Sequence, residues 1–544
     1  MSGALEVSAT GAAAEAVTRH VPTLVAEKFA SRLFARDPML WGEEAESEAA
    51  QRLGWVELHR SSRPLVGEVS ALREQLREGG VDHVVLCGMG GSSLAPEVIC
   101  AAAGVQLTVL DSSHPDQVRA ALGDRLDRTV VVVSSKSGST VETDSQRRAF
   151  VAAFEEANID PTARIVVVTD PESPLEEQSR ASGYRVVNAD PSVGGRYSAL
   201  TAFGLVPSGL AGVDIAILLD DAESVADLLA EDDDANPALR LGATMAGTQP
   251  LRDKLVLLDE GSGLPGFADW AEQLIAESTG KNGFGVLPVV VSGSTCPEVT
   301  LPPQDATVAR LVGDGDRPGA DIDDDAGGAS GSEVRVTGAM GAQLLLWEVA
   351  TVVAGRLLGI NPFDQPDVES AKKAARSMLE GDPDSTPADA VDGAVEIRAL
   401  GGEWLGGATS VRDAVDALLA QLDAETGYLA VMAYLDRLRD AELSDVRRKL
   451  AIRTRRPVTF GWGPRFLHST GQLHKGGPRV GVYLQITGAI ESDLQVAGRD
   501  YSFGDLITAQ AAGDARVLAD HGRPVLRLHV TDASGLAKVA DALA

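Results

Sequence analysis

The sequence predicts an α/β protein with two doubly wound parallel-sheet domains that follow a helical N-terminal segment. Short runs of β-branched residues alternate with helix-like stretches from about residue 82, which is typical of a parallel sheet covered by helices on both faces. The alternation is interrupted by a helical stretch with the acidic patch Glu231–Asp234 and then starts again. Because 44% of the 544 residues are hydrophobic, the chain can bury large cores.

The N-terminal segment and the first domain differ in their hydrophobic period. Up to about residue 78, apolar residues recur at helical spacing in Leu24–Phe34, Glu43–Trp55 and Leu65–Leu76. We therefore expect a helical arm over residues 1–60 and a first α/β domain over residues 61–220. The strand candidates of this domain are Asp82–Cys87, Leu107–Leu110, Val130–Ser134, Ile165–Thr169 and Tyr184–Asn188.

A second α/β domain with helical insertions is predicted over residues 221–544. Its longest apolar stretch, Thr337–Leu358, is hydrophobic almost all round and predicts a buried helix. Gly313–Glu333 is rich in Gly, Asp, Ser and Pro and predicts a solvated loop, whose role the sequence leaves open. The strand candidates are Lys254–Asp259, Val286–Val291, Tyr428–Tyr434, Val458–Trp462, Val480–Thr487 and Val525–Val530.

The charge balance limits the possible partners. The chain has 48 Lys and Arg against 79 Asp and Glu, a formal net charge of −31. This balance argues against a nucleic-acid-binding protein, which needs a basic surface. Small anions are still possible ligands, because backbone amides and a few cations bind phosphate inside an acidic protein.

The cysteines and the apolar runs indicate a cytoplasmic protein. The three cysteines form neither a disulfide framework nor a zinc pattern, which fits a reducing compartment. The N-terminal residues lack the basic start and apolar core of a signal peptide. We expect no membrane-spanning segment, because no uninterrupted apolar run reaches about 18 residues.

Two turns between a strand and a helix are candidate phosphate-binding loops. Gly88–Leu94 has glycines that allow an anion to come close to the backbone at a helix N-terminus. The candidate binding residues of this turn are Gly91 and Ser92. An ordinary tight turn, or a dinucleotide loop with Asp111 at the end of the next strand, remains an alternative. The second turn favours phosphate binding over a simple helix cap because it offers five hydroxyls and a lysine; its candidates are Ser135, Lys136, Ser137, Ser139 and Thr140.

Two further segments offer charged groups for catalysis. Arg196 follows two glycines in a loop before an apolar helix, where it either stabilises developing negative charge or forms a surface ion pair. Glu277 shares a helix face with Gln273 and lies in the last turn before Gly280, where the negative end of the helix dipole makes a carboxylate more basic. Glu277 is therefore a candidate general base, with an exposed surface glutamate as the alternative.

A lysine and two histidines complete the candidates. Lys372 lies about two turns into a helix that starts near Pro366. His468 and His474 lie in a glycine-rich segment before a strand, and a histidine transfers protons near neutral pH. A solvated lysine and structural histidines are the alternatives.

Five of these segments, taken in order, resemble motifs of the glucose-6-phosphate isomerase family, whose members have two sugar-isomerase (SIS) domains. The matching stretches are GMGGSSL, SSKSGSTVET, VGGRYSALTAFGL, EQLIAESTGK and INPFDQPDVESAKK. Gly138 replaces an aromatic residue of the family, and Pro366-Asp367 replaces Trp-Gly. The family's histidine segment normally precedes the lysine. Here it follows the lysine, which resembles the isomerase part of transaldolase–isomerase fusions.

The resemblance implies two SIS-type domains and a reversible isomerisation of glucose 6-phosphate to fructose 6-phosphate, a step of glycolysis and gluconeogenesis. It implies Glu277 as the base that moves a proton through a cis-enediolate, Arg196 as the charge stabiliser, and Lys372 and His474 as ring-opening groups, with His468 as a competitor. It also implies that the two turns and Gln273 bind the sugar phosphate.

The resemblance also implies a homodimer and neither metal nor cofactor. Two other functions remain open from the sequence. One is isomerisation of another sugar phosphate, such as mannose 6-phosphate, and the other is sugar-phosphate binding without turnover.

Overall fold

A computed structural model describes residues 5–313, 331–379 and 386–544, apart from the side chains of Glu369, Ala371 and Lys372. These residues form three separate β-sheets. In chain order the strands are β1 (Glu6–Gly11), β2 (His83–Gly88), β3 (Thr108–Leu110), β4 (Thr129–Ser134), β5 (Ile165–Thr169), β6 (Arg185–Asn188), β7 (Lys254–Glu260), β8 (Leu287–Val291), β9 (Ala306–Val312), β10 (Ser332–Thr337), β11 (Ala390–Asp392), β12 (Val395–Leu400), β13 (Tyr428–Tyr434), β14 (Val458–Trp462), β15 (Gly481–Gly488) and β16 (Val525–Val530).

Helices cover the sheets and fill the spaces between them. They are α1 (Ala12–Ala26), α2 (Phe29–Phe34), α3 (Glu43–Ala49), α4 (Leu58–Ser61), α5 (Pro64–Glu78), α6 (Leu94–Ala102), α7 (Pro115–Gly123), α8 (Val141–Glu156), α9 (Pro174–Ala181), α10 (Ala202–Ala211), α11 (Ile215–Ala230), α12 (Pro237–Ala246), α13 (Phe267–Thr279), α14 (Pro297–Thr300), α15 (Met340–Leu358), α16 (Pro366–Leu379), α17 (Val411–Leu419), α18 (Val446–Thr454), α19 (Gly471–Gly476), α20 (Phe503–Asp520) and α21 (Ala533–Leu543). The predicted α/β class is confirmed.

The first sheet has the strand order β3-β2-β4-β5-β6, and all its strands are parallel. The central strands β2, β4 and β5 are fully buried. Their sequences are therefore continuous runs of β-branched residues, from which the strands could be predicted. The strand order changes direction between β2 and β4. In an open parallel sheet, ligands bind outside the carboxyl ends of the strands at such a point. The two predicted phosphate loops follow these two strands.

The second sheet, in the order β1-β10-β9-β7-β8, includes a strand from the N-terminal arm. β1 pairs antiparallel with β10, while the other neighbours are parallel. The prediction of a purely helical arm missed β1, because it is an edge strand in which Val7 is the one buried residue. β9 and β10 were also missed. Part of β10 falls within the predicted loop Gly313–Glu333, and residues 314–330 of that loop lie outside the described residues.

The remaining strands form a third sheet, in the order β11-β12-β16-β15-β13-β14. We call residues 386–544 the C-terminal unit. The sequence analysis placed all strands after residue 221 in one second domain, whereas the structure pairs them in two sheets. A strand pattern shows which residues are extended but not which strands they pair with, and the missed strands β9 to β12 supplied the pairing partners. The domain boundaries near residues 60 and 220 stay predictions.

The predicted buried helix is confirmed as α15, in the interior of the protein. Its side chains pack into the largest hydrophobic core, which joins the first two sheets and the N-terminal helices and contains Trp55, Trp270 and Trp347. By length and composition α15 could also cross a membrane, but 83% of its apolar window is buried inside the protein. Burial to this extent is what the core helix of a globular protein shows.

Candidate active site

A cavity of about 610 Å³ opens at the carboxyl ends of β2 and β4, where the three sheets approach one another. Its walls bring together most of the residues singled out in the sequence. The first two sheets and their connections contribute Gly91, Ser92, Ser135, Lys136, Ser137, Ser139, Thr140, Arg196, Gln273 and Glu277, and the C-terminal unit contributes Leu467, His468, Leu506 and Gln510. Segments that are far apart in sequence thus form one polar pocket.

The turn after β2 uses its glycines for close packing. A Cβ on Gly91 would lie 2.0 Å from the carbonyl oxygen of Gly195. Gly90 has a φ of +57°, and a Cβ there would lie 2.7 Å from the carbonyl oxygen of His468. The turn therefore lies directly against the Arg196 loop and against the C-terminal unit, and a side chain at either glycine would separate them.

The turn after β4 forms a preorganised set of hydroxyl groups at the N-terminus of α8. Ser135 Oγ lies 3.1 Å from Thr140 Oγ1, and Ser137 Oγ lies 2.8 Å from Ser139 Oγ. The Lys136 ammonium donates to Asp170 at 2.5 Å and to the Pro191 carbonyl at 3.4 Å. An ammonium has three N–H groups, so one is left for a ligand. Hydroxyls, an ammonium and the helix N-terminus together suit a phosphate group.

Helix α13 presents the candidate base to the cavity. Gln273 Nε2 donates to Glu277 Oε2 at 3.1 Å and to the His468 carbonyl oxygen at 2.7 Å. Glu277 occupies the last turn of the helix, as predicted, and its side chain is 12% exposed. Gly280 follows α13, but its φ is −80°. It is needed because a Cβ would lie 2.3 Å from Leu473 Cα in α19.

Arg196 is buried and almost fully engaged. Its Nε donates to Ser278 Oγ at 2.8 Å, and its Nη2 donates to the carbonyl oxygens of Pro362 and Asp364. Its Nη1 donates to Gln365 Oε1 at 2.8 Å and lies 3.8 Å from Glu277 Oε1. Since a guanidinium has five N–H groups, one on Nη1 remains beyond these four bonds. The arginine is thus fixed beside the candidate base and is not a surface ion pair.

Lys281, which the sequence analysis did not single out, holds the same segment from the other side. Its ammonium donates to the backbone oxygen of Asp364 at 2.6 Å and to the carboxylate at 2.7 Å. Burial, together with the nearby charge of Arg196, lowers the pKa of Lys281 to about 8. Two cations therefore hold the chain that leads from Pro362 into helix α16.

The two histidines have different surroundings. His468 lines the cavity, and its Nε2 lies 3.0 Å from Glu142 Oε1. His474 does not line it. His474 is 3% exposed, stacks on Tyr428 and contacts the Tyr428 hydroxyl through Nδ1 at 3.0 Å. Burial lowers the pKa of His474 well below the usual value, helped by Lys475 and Arg523, so the ring is neutral. The structure brings the competitor, His468, to the site.

Lys372 lies on α16, whose first turn is fixed by the C-terminal unit, although its side chain lies outside the described residues. Gln472 accepts from the Asp367 backbone N–H at 2.9 Å and donates to the Asp367 carboxylate at 2.7 Å. Val368, Ala375 and Arg376 of the same helix line the cavity. The helix therefore borders the site, as the sequence analysis expected of the lysine segment.

The structure does not support the alternative that the turn after β2 is a dinucleotide-binding loop, because Asp111 does not face the cavity. Asp111 is 1% exposed and faces the guanidinium groups of Arg437 at 3.5 Å and Arg465 at 3.1 Å. A carboxylate that recognises a ribose must face the ligand instead. The glycine turn after β2 is therefore explained by packing at the polar cavity.

Comparisons with known proteins find glucose-6-phosphate isomerases among the relatives of this chain. No family model matches the chain. A probable glucose-6-phosphate isomerase of Natronomonas pharaonis is 32% identical over 378 residues, which is 62% of this chain and 87% of that protein. The glucose-6-phosphate isomerase of Rubrobacter xylanophilus is 31% identical over 392 residues, which is 60% of this chain and 89% of that protein. This chain belongs to the glucose-6-phosphate isomerase family.

A solved structure shows that this family member shares its fold with a known protein. A hypothetical protein of Thermus thermophilus superposes with a TM-score of 0.57 and 26% identity, covering 70% of this chain and all of the other. About three tenths of this glucose-6-phosphate isomerase family member therefore lies beyond that common fold.

Sequence reasoning missed several residues that line the cavity of this isomerase family member. Glu142 was visible as part of SSKSGSTVET but was not assigned a role. Ser134 and Gln365 lie within quoted motifs but were assigned no role, and Asp170 directly follows the predicted strand Ile165–Thr169. Gln510 lies in the middle of the buried helix α20, where a single polar residue gives no pattern.

Proposed function

We propose that this protein catalyses the reversible isomerisation of glucose 6-phosphate and fructose 6-phosphate, a step of glycolysis and gluconeogenesis. The observation that supports it most is the position of Glu277. Its carboxylate lies 3.8 Å from the Arg196 guanidinium and borders the same cavity as the hydroxyl-rich turn after β4. A base beside a fixed cation is what proton abstraction next to a carbonyl group requires.

Substrate binding begins at the phosphate group. The phosphate lies at the N-terminus of α8, where Ser135, Ser137, Ser139 and Thr140 donate hydroxyls and Lys136 donates its remaining N–H. Gly91 and Ser92 bring the turn after β2 to the same place. Binding energy from this non-reacting end orients C1 and C2 of the sugar toward Glu277.

Proton transfer between C1 and C2 is the work of Glu277. The carboxylate removes the proton at C2 of the aldose, and the C1 carbonyl oxygen becomes an enediolate oxygen. The same carboxylate then returns the proton to C1 while the proton of the C2 hydroxyl passes to O1, so that C2 becomes the carbonyl carbon of the ketose. The remaining Nη1 N–H of Arg196 stabilises the negative charge of the enediolate. Gln273 holds the base in place by donating to its Oε2 at 3.1 Å.

Ring opening falls to His468, which takes the role first given to His474. His468 borders the cavity and is paired with Glu142, whereas His474 is buried against Tyr428. A histidine with a carboxylate partner is suited to move a proton between the ring oxygen and the C1 hydroxyl. Lys372 stays the second candidate for this step, since its helix borders the cavity.

The cell compartment and the oligomeric state belong to the same proposal. We infer a cytoplasmic enzyme, which accords with three free and buried cysteines. A homodimer stays a prediction from the family resemblance.

Glu277→Gln tests the proposal. We expect kcat for isomerisation to fall on the order of 10²–10⁴-fold, because a positioned general base contributes about that much. Exchange of the C2 hydrogen with solvent, followed by NMR in deuterated water, should fall in parallel. Binding of a five-carbon acid phosphate that mimics the enediolate reports whether the cavity is intact.

Glu272→Gln on the same helix is the matched control. Glu272 lies outside the cavity, and burial together with Asp269 raises its pKa to about 8, so the amide replaces a largely neutral acid. This variant should keep normal turnover. Isomerase activity near that of the unchanged protein in Glu277→Gln would remove Glu277 as the base, and an unchanged protein that binds sugar phosphate without turnover would refute the enzymatic function.

A further inference from the structure

The C-terminal unit places a glutamine on the wall of the cavity. Gln510 is 3% exposed and lies in the middle of α20. Its Nε2 donates to Glu142 Oε1 at 2.6 Å, the same oxygen that faces His468 Nε2 at 3.0 Å. The glutamine therefore lies beside the proposed ring-opening pair.

The contact with Glu142 fixes which way the amide of Gln510 faces. A carboxylate oxygen accepts hydrogen bonds, so the NH₂ end of the amide must point to it. The amide oxygen, Oε1, is then turned away, and it is buried without a donor among the described residues. A buried acceptor without a donor is unfavourable, so a ligand that supplies a donor is favoured.

Gln273 has the same arrangement on another wall. Its NH₂ end is held by the His468 carbonyl and by Glu277, and its buried Oε1 also has no donor among the described residues. Two side chains that line one cavity thus each present a fixed amide with an unused acceptor oxygen. Phosphate and carbonyl oxygens cannot supply the missing hydrogen, whereas the hydroxyl groups of a sugar can.

We propose that Gln510 is a specificity-determining residue whose Oε1 accepts a hydrogen bond from one hydroxyl group of the sugar phosphate, so that the C-terminal unit takes part in substrate recognition. The assignment rests on the proposed function, because it requires a polyhydroxylated ligand in this cavity. The hydroxyl that it recognises lies next to the group served by His468, since both side chains meet at Glu142 Oε1.

The probe for this assignment is glucitol 6-phosphate, which has no carbonyl group to isomerise, together with its 2-, 3-, 4- and 5-deoxy forms. Affinities are measured by calorimetry on the full chain with Gln510 and with Gln510→Met. Methionine keeps the length of the side chain but removes the acceptor. We expect glucitol 6-phosphate to bind about tenfold more weakly to the variant. One deoxy form should bind equally to both proteins, because it lacks the partner hydroxyl.

Gln485→Met is the matched control for damage to the fold. Gln485 is buried in β15, its Nε2 donates to the Ala511 carbonyl of the same helix α20 at 2.9 Å, and its Oε1 also lacks a donor among the described residues, but it does not line the cavity. This variant should bind all five ligands as the unchanged protein does. Thermal unfolding of both variants monitors stability.

Two outcomes for the variant, and one for the unchanged protein, would overturn the assignment. An unchanged affinity in Gln510→Met would mean that no ligand hydroxyl contacts the amide oxygen. An equal loss for all five ligands would mean that the residue only supports the shape of the cavity. If the unchanged protein isomerises glucose 6-phosphate and Gln510→Met gives either of these results, only the assignment of Gln510 fails. If the unchanged protein shows neither binding nor turnover, the proposed function is refuted as well.

Discussion

The first sheet and the C-terminal unit contribute to the cavity in different ways. The first sheet offers local motifs, in which one turn of the chain, such as Ser134–Thr140, places several donors at a helix N-terminus. The C-terminal unit offers single side chains, His468 and Gln510, from a short turn and a helix some forty residues apart. In the proposed site, the local motif binds an anion through many equivalent groups, whereas the isolated side chains share one partner, Glu142.

This difference teaches where a substitution should matter. A turn with several hydroxyl donors should lose only part of its affinity for a phosphate group when one donor is removed. A histidine that acts through one proton has no substitute, so its loss should reduce turnover far more. The variants below separate the two contributions.

Among the variants that compare these two regions, the largest effect is expected for His468→Asn. We predict that kcat/KM for glucose 6-phosphate falls on the order of 10²-fold, because a positioned proton-transfer group contributes at least that much. His474→Asn should change kcat/KM less than tenfold and instead lower the melting temperature, since it removes the contact with Tyr428. Steady-state kinetics and thermal unfolding of both variants measure the difference.

A larger loss of turnover in His474→Asn than in His468→Asn would contradict this prediction. If folded His474→Asn lost more turnover than His468→Asn, the buried histidine would have to reach the substrate through a rearrangement. Glu142→Gln offers a further check, because it should reproduce part of the His468→Asn defect by removing the carboxylate partner.

A smaller effect is expected for Lys136→Met in the hydroxyl-rich turn after β4. We predict that KM rises about tenfold while kcat changes little, because binding is lost equally from the substrate and the transition state. Burial raises the pKa of Asp170 despite its lysine partner, so removing the lysine alone also leaves a costly carboxylate. Kinetics over a range of glucose 6-phosphate concentrations distinguish KM from kcat.

Two companion variants isolate the lysine contribution. Lys136→Met with Asp170→Asn removes both charges and should retain the raised KM if the ammonium binds phosphate. Recovery of the normal KM in this double variant would show that the unpaired carboxylate caused the defect. Arg180→Met removes an exposed cation of helix α9 that pairs with Glu176, and it should leave KM unchanged.

The smallest effect is expected for Lys281→Arg, as a shift of the pH profile. The folded pKa of Lys281 is about 8, below its ordinary value of 10.5, so above pH 8 the ammonium loses its proton and its ion pair with Asp364. Between those two values the unfolded chain binds more protons, so this group raises the free energy of unfolding as the pH rises. Activity, in contrast, should decline above pH 8 as the Asp364 segment loosens.

Arginine keeps its charge in this range, so the alkaline decline of kcat/KM should move upward by about one unit or more. Lys254→Arg, another buried lysine paired with Asp253 and Asp305 but outside the cavity, should leave the profile in place. An unshifted profile in Lys281→Arg would assign the decline to another group.

Local features of the fold and site were accessible from the sequence, and contacts between distant segments were not. The buried strands β2, β4 and β5 are recognisable from their β-branched runs, and the hydroxyls of Ser134–Thr140 lie within one turn. Glu277 could be placed because the helical period and Gly280 fix its position. The edge strand β1 has one buried residue and so no apolar signature. The choice between His468 and His474 depended on how the C-terminal unit packs, which six residues of spacing cannot reveal.

Gly90 lies where the turn after β2 meets the C-terminal unit. Its missing side chain lets the His468 carbonyl approach the backbone of the turn after β2, and a methyl group there would lie 2.7 Å from that oxygen. Such a methyl would push the backbone of His468 away from the turn after β2. In the proposed site, the distance between the phosphate group of the ligand and His468 thus depends on the absence of a side chain at Gly90.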